Sequence, residues 1–217
     1  MNNYVSPSLL AANKNHLQDE IKTAEAAGAE YIHWDIMDGK FVPNTSFKAS
    51  EVKAHAKSHK MINDVHIMVA DPEIEAPMFV GCGADLVTFH IEAVKDEKEA
   101  DKIIDTLHKM KCKAGLSIKP MTDVSAIESL LGKLDLVLVM SVEPGKGGQK
   151  FMPSALRKIR KLRKIIDKNR FNCLIEVDGG INDKTGKRCR KAGADILVAG
   201  SYLFGHDDFE ERVKLLR

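Results

Sequence analysis

The stretch Tyr31-Ile-His-Trp-Asp-Ile-Met-Asp-Gly39 has the alternating pattern of a β-strand whose two faces differ in polarity. Successive side chains of an extended chain point to opposite faces, so His33, Asp35 and Met37 share one face and apolar residues occupy the other. An imidazole and a carboxylate two residues apart can bind one metal ion or move one proton. A single His-x-Asp pair is more often a hydrogen-bonded strand end, so its function depends on partners elsewhere in the chain.

The rest of the chain repeats this kind of strand. Short apolar, β-branched runs alternate with longer amphipathic segments, which is typical of consecutive βα units on a parallel sheet. Eight runs predict strands, at residues 4–10, 31–35, 63–68, 86–90, 113–118, 136–140, 172–177 and 196–199. Eight segments predict helices, at residues 14–27, 48–58, 72–82, 97–110, 123–132, 153–169, 183–192 and 207–216.

Eight βα units close most economically into a barrel, whereas an open doubly wound sheet would need fewer central strands or an edge. No Pro/Ser-rich or low-complexity stretch divides the sequence into halves. The sequence therefore predicts an α/β fold, a (β/α)8 TIM barrel, with residues 1–217 forming a single domain.

The composition is ordinary for a globular protein, with 44% hydrophobic and 29% charged residues. Lys and Arg number 33 against 31 for Asp and Glu, and a net charge of +2 gives no reason to expect nucleic acid or a membrane as partner. The basic run at residues 157–164 has apolar residues at helical spacing, which predicts the outer face of a helix. Four widely spaced cysteines and the lack of a signal-like segment predict a cytoplasmic location.

Functional residues of (β/α)8 barrels lie at the C-terminal ends of the strands. The ends of the second, third and seventh predicted strands converge on one mouth, where four residues can surround a single point: His33, Asp35, His66 and Asp178. Two imidazole nitrogens and two carboxylate oxygens suit one divalent ion such as Zn, Mn, Fe or Co, and the lack of thiolates argues against a purely structural zinc site. The alternative is four separate strand-end polar residues that share no ligand.

Asp35 and Asp178 are predicted on different sides of this mouth, where each can give or take a proton. Two carboxylates that face each other across a substrate allow a proton to leave one face of a carbon and return on the other, which inverts the centre. A metal ion bound to the neighbouring carbonyl and hydroxyl would stabilise the enediolate formed between those steps. Such chemistry is that of an epimerase.

Glycine-rich turns follow the last three predicted strands, at Gly145-Lys146-Gly147-Gly148, Gly179-Gly180 and Gly200-Ser201. Such turns expose backbone N–H groups, and the last loops of barrels often hold phosphate. A single Gly-Gly pair is usually only a tight turn. Glycine-rich turns in three successive loops predict a phosphate site.

Three methionines have the inward parity of the polar residues on their strands, namely Met37, Met68 and Met140. A methionine taken alone is usually a flexible core filler. As a group, the three predict an apolar floor that excludes water around an enediolate.

Six segments carry a more specific signal. They are Ser6-Pro-Ser-Leu-Leu-Ala-Ala-Asn13, His33-Trp-Asp-Ile-Met-Asp-Gly-Lys-Phe-Val-Pro-Asn44, Asp64-Val-His-Ile-Met68, His90-Ile-Glu92, Val139-Met-Ser-Val-Glu-Pro-Gly145 with Gly147-Gly-Gln149, and Glu176-Val-Asp-Gly-Gly180. Together they resemble the ribulose-phosphate 3-epimerase family, in family order and across nearly the whole chain.

The resemblance implies a metal-dependent epimerase that interconverts D-ribulose 5-phosphate and D-xylulose 5-phosphate in the pentose phosphate pathway. It implies one divalent metal ion held by the four mouth residues, with Asp35 and Asp178 as acid and base. It also implies a homo-oligomer, because family members are dimers or hexamers. The predicted substrate-binding residues are Ser8, His66, Gly145, Lys146, Gly147, Gly148, Asp178, Gly179, Gly180, Gly200 and Ser201.

Three places depart from the usual family pattern. Lys146 stands in place of an aromatic residue, Lys119 stands in place of Asn before a proline, and residues 45–48 lack the glycine that follows phenylalanine. None removes a ligand or a proposed base, so the departures leave substrate preference open more than reaction type. The alternatives are an allulose-6-phosphate 3-epimerase, a metal-free lyase or decarboxylase on the same barrel, for which Lys119 is the obvious lysine, and a non-catalytic phosphosugar-binding protein.

Overall fold

The computed structural model describes residues 2–217 and contains eight strands in one parallel sheet. Ladders join neighbouring strands from β2 through β8 to β1, and a parallel bridge between Ser8 and His33 brings the two ends of the sheet together. The predicted (β/α)8 barrel is confirmed. Its strands are β1 Tyr4–Pro7, β2 Tyr31–Met37, β3 Ile62–Met68, β4 Leu86–His90, β5 Lys113–Ile118, β6 Leu136–Met140, β7 Leu174–Asp178 and β8 Ile196–Ala199.

Among the described residues, seven α-helices alternate with the strands. They are α1 Leu17–Ala26, α2 Ala49–His55, α3 Pro72–Gly81, α4 Glu97–Lys109, α5 Ala155–Asn169, α6 Asp183–Ala192 and α7 Phe209–Leu215. The helix predicted at residues 123–132 is wrong, since that segment forms two 3-10 turns, Val124–Ala126 and Glu128–Leu130. Ile127 between them has φ −129° and ψ 2°, and valine and serine in so short a segment favour the helical interior only weakly.

The strands separate two apolar regions. Their outer faces pack against the helices, and Trp34, Phe79 and Phe89 are among the largest fully buried side chains there. A second apolar cluster, which includes Tyr31 and Ile196, fills the inside of the barrel near the N-terminal ends of the strands. The barrel is therefore a packed core below and a polar mouth above, as this fold requires.

The basic run at residues 157–164 lies on α5, as predicted. Leu156, Ile159, Leu162 and Ile166 of that helix are buried, and most of the basic side chains between them are exposed. The charge belongs to the outer face of an amphipathic helix. Within residues 2–217, no helix has the length and apolarity needed to cross a bilayer.

Two glycines at the C-terminal end of α3 predict opposite effects of an alanine substitution on stability. Gly81 ends α3, and a Cβ there would meet no atom within 4 Å, whereas Gly83 has φ +103° and its Cβ would lie 2.8 Å from that of Ala56. We expect Gly81→Ala to raise the free energy of unfolding by about 0.5 kcal/mol. We expect Gly83→Ala to lower it by about 1–3 kcal/mol. Urea unfolding of both variants measures the difference, and shifts of the same sign would contradict this geometry.

Candidate active site and metal centre

Four side chains from three strands meet at the C-terminal mouth of the barrel. His33 and Asp35 lie on β2, His66 lies on β3 beside Asp35, and Asp178 ends β7. Each offers one ligand atom, and these atoms lie within 4.8 Å of one another. The first three side chains are buried and Asp178 is half-buried. The structure thus brings the four predicted metal residues to one point, and we call them the His2Asp2 cluster.

A carboxylate behind His33 orients its ring. His33 Nδ1 donates to Asp64 Oδ2 at 2.6 Å, and the same oxygen accepts from Ser6 Oγ at 3.2 Å. With the proton of the neutral ring on Nδ1, His33 Nε2 keeps its lone pair. That nitrogen is buried without a hydrogen-bond partner and lies 3.4 Å from Asp35 Oδ1. A buried lone pair facing a carboxylate oxygen is suited to a cation between them.

Asp35 is central to the His2Asp2 cluster. Its Oδ1 lies 3.3 Å from His66 Nδ1 as well as 3.4 Å from His33 Nε2. Its Oδ2 accepts from Ser8 Oγ at 2.7 Å, and its backbone carbonyl accepts from the hydroxyl of Ser46. The carboxylate is therefore held from both sides, with one oxygen left facing the two imidazoles.

The donor set of the cluster fits one divalent cation. Two imidazoles and two carboxylates are ligands that Zn, Mn, Fe and Co accept, and no thiolate belongs to the group. Asp64 and Ser8 hold His33 and Asp35 from behind, which is the kind of outer support that metal ligands usually have. The orphaned His33 Nε2 is the observation that this fit explains.

The pKa values of Asp35 and Asp178 are shifted in opposite directions. Burial opposes the charge on Asp35, but His33 and then His66 outweigh it and lower the pKa of Asp35 well below its usual range. Burial, followed by the charge of Asp35, raises the pKa of Asp178 to about 7. One carboxylate is thus held ionised while the other can carry a proton near neutral pH, which is the division of roles that an acid/base pair needs.

The interior of the barrel favours positive charge at this point. Burial disfavours the charged form of His33, yet Asp64 and Asp35 raise its pKa well above 6.5. Glu176 is 0% exposed, and burial followed by the charge of Asp64 raises its pKa well above 4.5. A proton or a metal ion is therefore attracted to His33 by the charges of Asp64 and Asp35, while Glu176 holds a proton of its own.

A cavity of about 610 Å³ adjoins the cluster. Asp35 and Asp178 line it together with Ser8, while His33 and His66 lie behind the lining. Part of the wall of this cavity is apolar. It includes Met37, Met68 and Met140, all nearly fully buried.

The three glycine-rich turns line another part of the same cavity, at residues 145–148, 179–180 and 200–201. Gly180 has φ +60°, and a Cβ there would lie 2.4 Å from the backbone nitrogen of Phe151, so a larger residue would displace the loop. Lys146 is the one basic side chain among the residues of 2–217 that line the cavity. The three glycine-rich turns and one cationic side chain thus line the same cavity.

Comparison with known proteins agrees with the site. The model of the ribulose-phosphate 3 epimerase family matches residues 4–204. The chain belongs to the ribulose-phosphate 3-epimerase family. It is 44% identical to the ribulose-phosphate 3-epimerase of Methanocaldococcus jannaschii, over 98% of this chain and 89% of that one. It is 40% identical to the Bacillus subtilis ribulose-phosphate 3-epimerase, over 98% of this chain and 97% of that one. The chain is accordingly an enzyme of the isomerase class.

Solved structures with the same fold are more distant in sequence. A 3-hexulose-6-phosphate synthase superposes with a TM-score of 0.74 at 18% identity, covering 98% of this chain and 97% of that one. The 3-keto-L-gulonate-6-phosphate decarboxylase of Vibrio cholerae superposes with a TM-score of 0.71 at 13% identity, covering 100% and 96%. At such identities the likeness concerns the barrel alone.

The positions that depart from the epimerase pattern have separate structural roles. Lys119 does not line the cavity, and its Nζ lies 4.1 Å from the centroid of the Phe41 ring. Ser46, in the segment 45–48, accepts from the backbone nitrogen of Met37 at 2.9 Å and donates to the carbonyl of Asp35. This segment therefore buttresses β2 without the family's glycine.

Sequence reasoning assigned no role to the residues that contact the His2Asp2 cluster on the side away from the cavity. Asp64 contacts His33, while His90 contacts His66 and is itself bonded to Glu92. Burial lowers the pKa of His90 to about 4, so its ring is neutral. The signals were inward parity, which Asp64 shares with His66, and a His-x-Glu pair at the end of β4 that parallels the His-x-Asp pair of β2.

Proposed function

We propose that this protein is a metal-dependent ketose-phosphate 3-epimerase that interconverts D-ribulose 5-phosphate and D-xylulose 5-phosphate, a reaction of the pentose phosphate pathway. The observation that carries the proposal is the pair Asp35 and Asp178, which line one cavity beside two buried imidazoles and have pKa values shifted apart. Ribulose-phosphate 3-epimerases as relatives at about 40% identity support the same reaction.

The two carboxyl groups move the proton at C3. Asp35 and Asp178 both line the cavity, so one of them takes the proton from one face of the carbon and the other returns a proton on the opposite face. For the reverse epimer, the roles of the two groups exchange. Ser8 keeps Asp35 in place through its 2.7 Å hydrogen bond, so the base meets the substrate in one orientation.

The His2Asp2 cluster would hold one divalent cation, with Zn, Mn, Fe and Co all compatible with its donors. When bound, that cation supplies Lewis-acid charge beside the oxygens of the enediolate. The methionine wall formed by Met37, Met68 and Met140 excludes water from the same side of the cavity, which limits side reactions of the enediolate.

The phosphate end of the substrate is assigned to the glycine-rich turns. Their backbone N–H groups and the side chain of Lys146 are the groups of the cavity lining that suit a dianion. Asn44 donates to the carbonyl of Gly145 at 2.7 Å and so ties the loop after β2 to the loop after β6. In this orientation the ketose extends from the glycine-rich turns to Asp35 and Asp178.

Lys146→Ala tests the phosphate assignment. We expect the KM for the ketose phosphate to rise by roughly 3–10-fold with little change in kcat, because an exposed lysine contributes modestly to binding and takes no part in proton transfer. Lys150→Ala is the matched control, since Lys150 is an exposed lysine of the same loop outside the cavity lining. Steady-state kinetics at two salt concentrations measures both variants, and an unchanged KM in Lys146→Ala would remove this lysine from the phosphate site.

The substrate itself is identified by incubating metal-loaded protein with a panel of ketopentose and ketohexose phosphates. Inversion at C3, accompanied by exchange of the C3 hydrogen with solvent, is the expected outcome for ribulose 5-phosphate. Preference for allulose 6-phosphate would reassign the substrate and keep the reaction. Binding without conversion at high protein concentration would indicate a phosphosugar-binding protein instead.

The metal-free lyase alternative relies on a lysine at the reacting centre. Lys119 is stacked on Phe41 outside the cavity lining, which supports the epimerase over that class.

A cytoplasmic location is supported by the four cysteines, all of which are free thiols. We also infer a homo-oligomer by analogy with the family, and light scattering in solution tests it.

A further inference from the structure

His66 lies between the His2Asp2 cluster and a second, buried histidine. Its Nδ1 lies 3.3 Å from Asp35 Oδ1, and its Nε2 lies 2.9 Å from Nε2 of His90. His90 Nδ1 in turn lies 3.1 Å from Glu92 Oε2. Both imidazole rings are fully buried, so neither exchanges these partners for water. The three residues form a chain that leads from the cluster to the loop after β4.

Two carboxylates act on this chain from its ends, Glu92 beside His90 and Asp35 beside His66, and the pattern of donors and acceptors can be followed from the Glu92 end. Glu92 Oε1 accepts from the backbone nitrogen of Lys119 at 2.7 Å and from the hydroxyl of Thr122, which identifies this side chain as an accepting carboxylate. Glu92 Oε2 therefore accepts from His90 Nδ1. A neutral imidazole has one N–H, so His90 Nε2 must accept, and His66 Nε2 must donate. Followed from Glu92, the lone pair of His66 falls on Nδ1, 3.3 Å from Asp35 Oδ1, where a cation bound by both atoms would satisfy the two acceptors.

The arrangement parallels the one on the other side of the cluster. There, Asp64 accepts directly from His33 Nδ1 and leaves the lone pair on Nε2. At His66 the corresponding carboxylate is that of Glu92, which acts through the ring of His90. In both cases a carboxylate outside the cluster decides which imidazole nitrogen is available to a cation.

We propose that Glu92 and His90 are positioning residues that hold His66 in the tautomer with its lone pair on Nδ1, and thereby set the affinity of the His2Asp2 cluster for its divalent cation. The inference rests on the proposed function, since it takes the cluster as the metal site. It adds a link to the loop after β5, because Glu92 is bonded to residues 119 and 122 of that loop. Displacement of this loop would be transmitted to the orientation of His66.

Glu92→Gln is the informative variant because it keeps the shape of the side chain and removes one acceptor. If the amide oxygen stays with Lys119 and Thr122, the amide N–H₂ faces His90 and forces the opposite tautomer along the chain. If the amide turns round, a donor meets the backbone nitrogen of Lys119 instead. Either outcome disfavours a lone pair on His66 Nδ1 or displaces the loop.

We expect Glu92→Gln to weaken binding of Zn²⁺ or Co²⁺ by about 10–100-fold, measured on metal-free protein by competition with a chromophoric chelator. Thr122→Val is the matched control, because it removes a donor to Glu92 Oε1 and leaves the contact with His90. Its cation affinity should stay within a factor of about 3 of wild type, the effect of losing about one ordinary hydrogen bond. Unchanged cation affinity in Glu92→Gln would overturn the proposal.

A second measurement needs no variant. In metal-free protein labelled with ¹⁵N-histidine, long-range ¹H–¹⁵N spectra report which ring nitrogen of His66 carries the proton. We expect the proton on Nε2 in the wild type and a shift towards Nδ1 in Glu92→Gln; a proton on Nδ1 of the wild type would overturn the proposal. Neither readout uses a sugar phosphate. Failure of turnover in the wild type would therefore refute the proposed epimerase while the tautomer and the cation affinity still decide the role of Glu92.

Discussion

Asp35→Asn and Asp178→Asn are each expected to lower kcat by at least about 10³-fold, since general acid–base catalysis contributes about 10²–10⁴-fold and each carboxylate also belongs to the His2Asp2 cluster. In a two-base reaction each residue serves one face of C3, so losing either blocks inversion in both directions. The measurement is epimerisation of ribulose 5-phosphate, together with incorporation of deuterium from solvent at C3. Near-normal turnover by either variant, with its metal content verified, would exclude the two-base scheme.

Glu143→Gln is the control for those two variants. Glu143 is an exposed carboxylate that lines the same cavity but lies outside the cluster. Glu143→Gln removes one carboxylate charge from the same cavity without touching the cluster, so its kcat should stay within a factor of about 3 of wild type, as is usual for a surface substitution. A loss comparable to that of Asp178→Asn would mean that the net charge of the cavity, rather than the position of two carboxylates, controls the reaction.

Strand parity is the reason that the barrel and most of its mouth are predictable. Each strand shows its inward residues at every second position, so His33 and Asp35 on β2 and His66 on β3 are assigned to one surface before any contact is known. Closure by eight units then brings Asp178 on β7 to the same mouth. These inferences need only the order of elements and the alternation within each.

Contacts between strands at different heights are harder to predict. Parity places Asp64 on the inner surface but does not show that it lies opposite His33, because that depends on the stagger between β2 and β3. The partner of His66 is missed for the same reason, since His90 comes from the next strand. The 3-10 turns at residues 124–130 were missed because their apolar spacing is also that of a short helix.

Removing divalent cations is expected to abolish turnover, and adding back one of Zn, Mn, Fe or Co should restore it. The physical reason is the cluster itself, which collects two carboxylates and an unpartnered imidazole nitrogen within 4.8 Å, with buried Asp64 behind them. A cation that binds the folded chain and not the unfolded chain raises the free energy of unfolding. The increase is about 2.7 kcal/mol at a cation concentration 100 times the Kd. For a chain of this size, that free energy corresponds to a rise in Tm of roughly 5–10 °C.

Two histidine variants separate cation binding at the cluster from binding elsewhere on the protein. His33→Ala removes a ligand and should lose the rise in Tm as well as turnover, whereas His108→Ala alters an exposed imidazole paired with Asp135 and should keep both. Thermal melts and initial rates with and without chelator measure the two effects on the same samples. Full activity after complete removal of metal would exclude the metal-dependent mechanism, because the two carboxylates would then act on an enediolate without any cation beside it. If wild-type turnover depends fully on the metal, and His33→Ala loses both turnover and the rise in Tm, the cation binds at the orphaned Nε2 of His33.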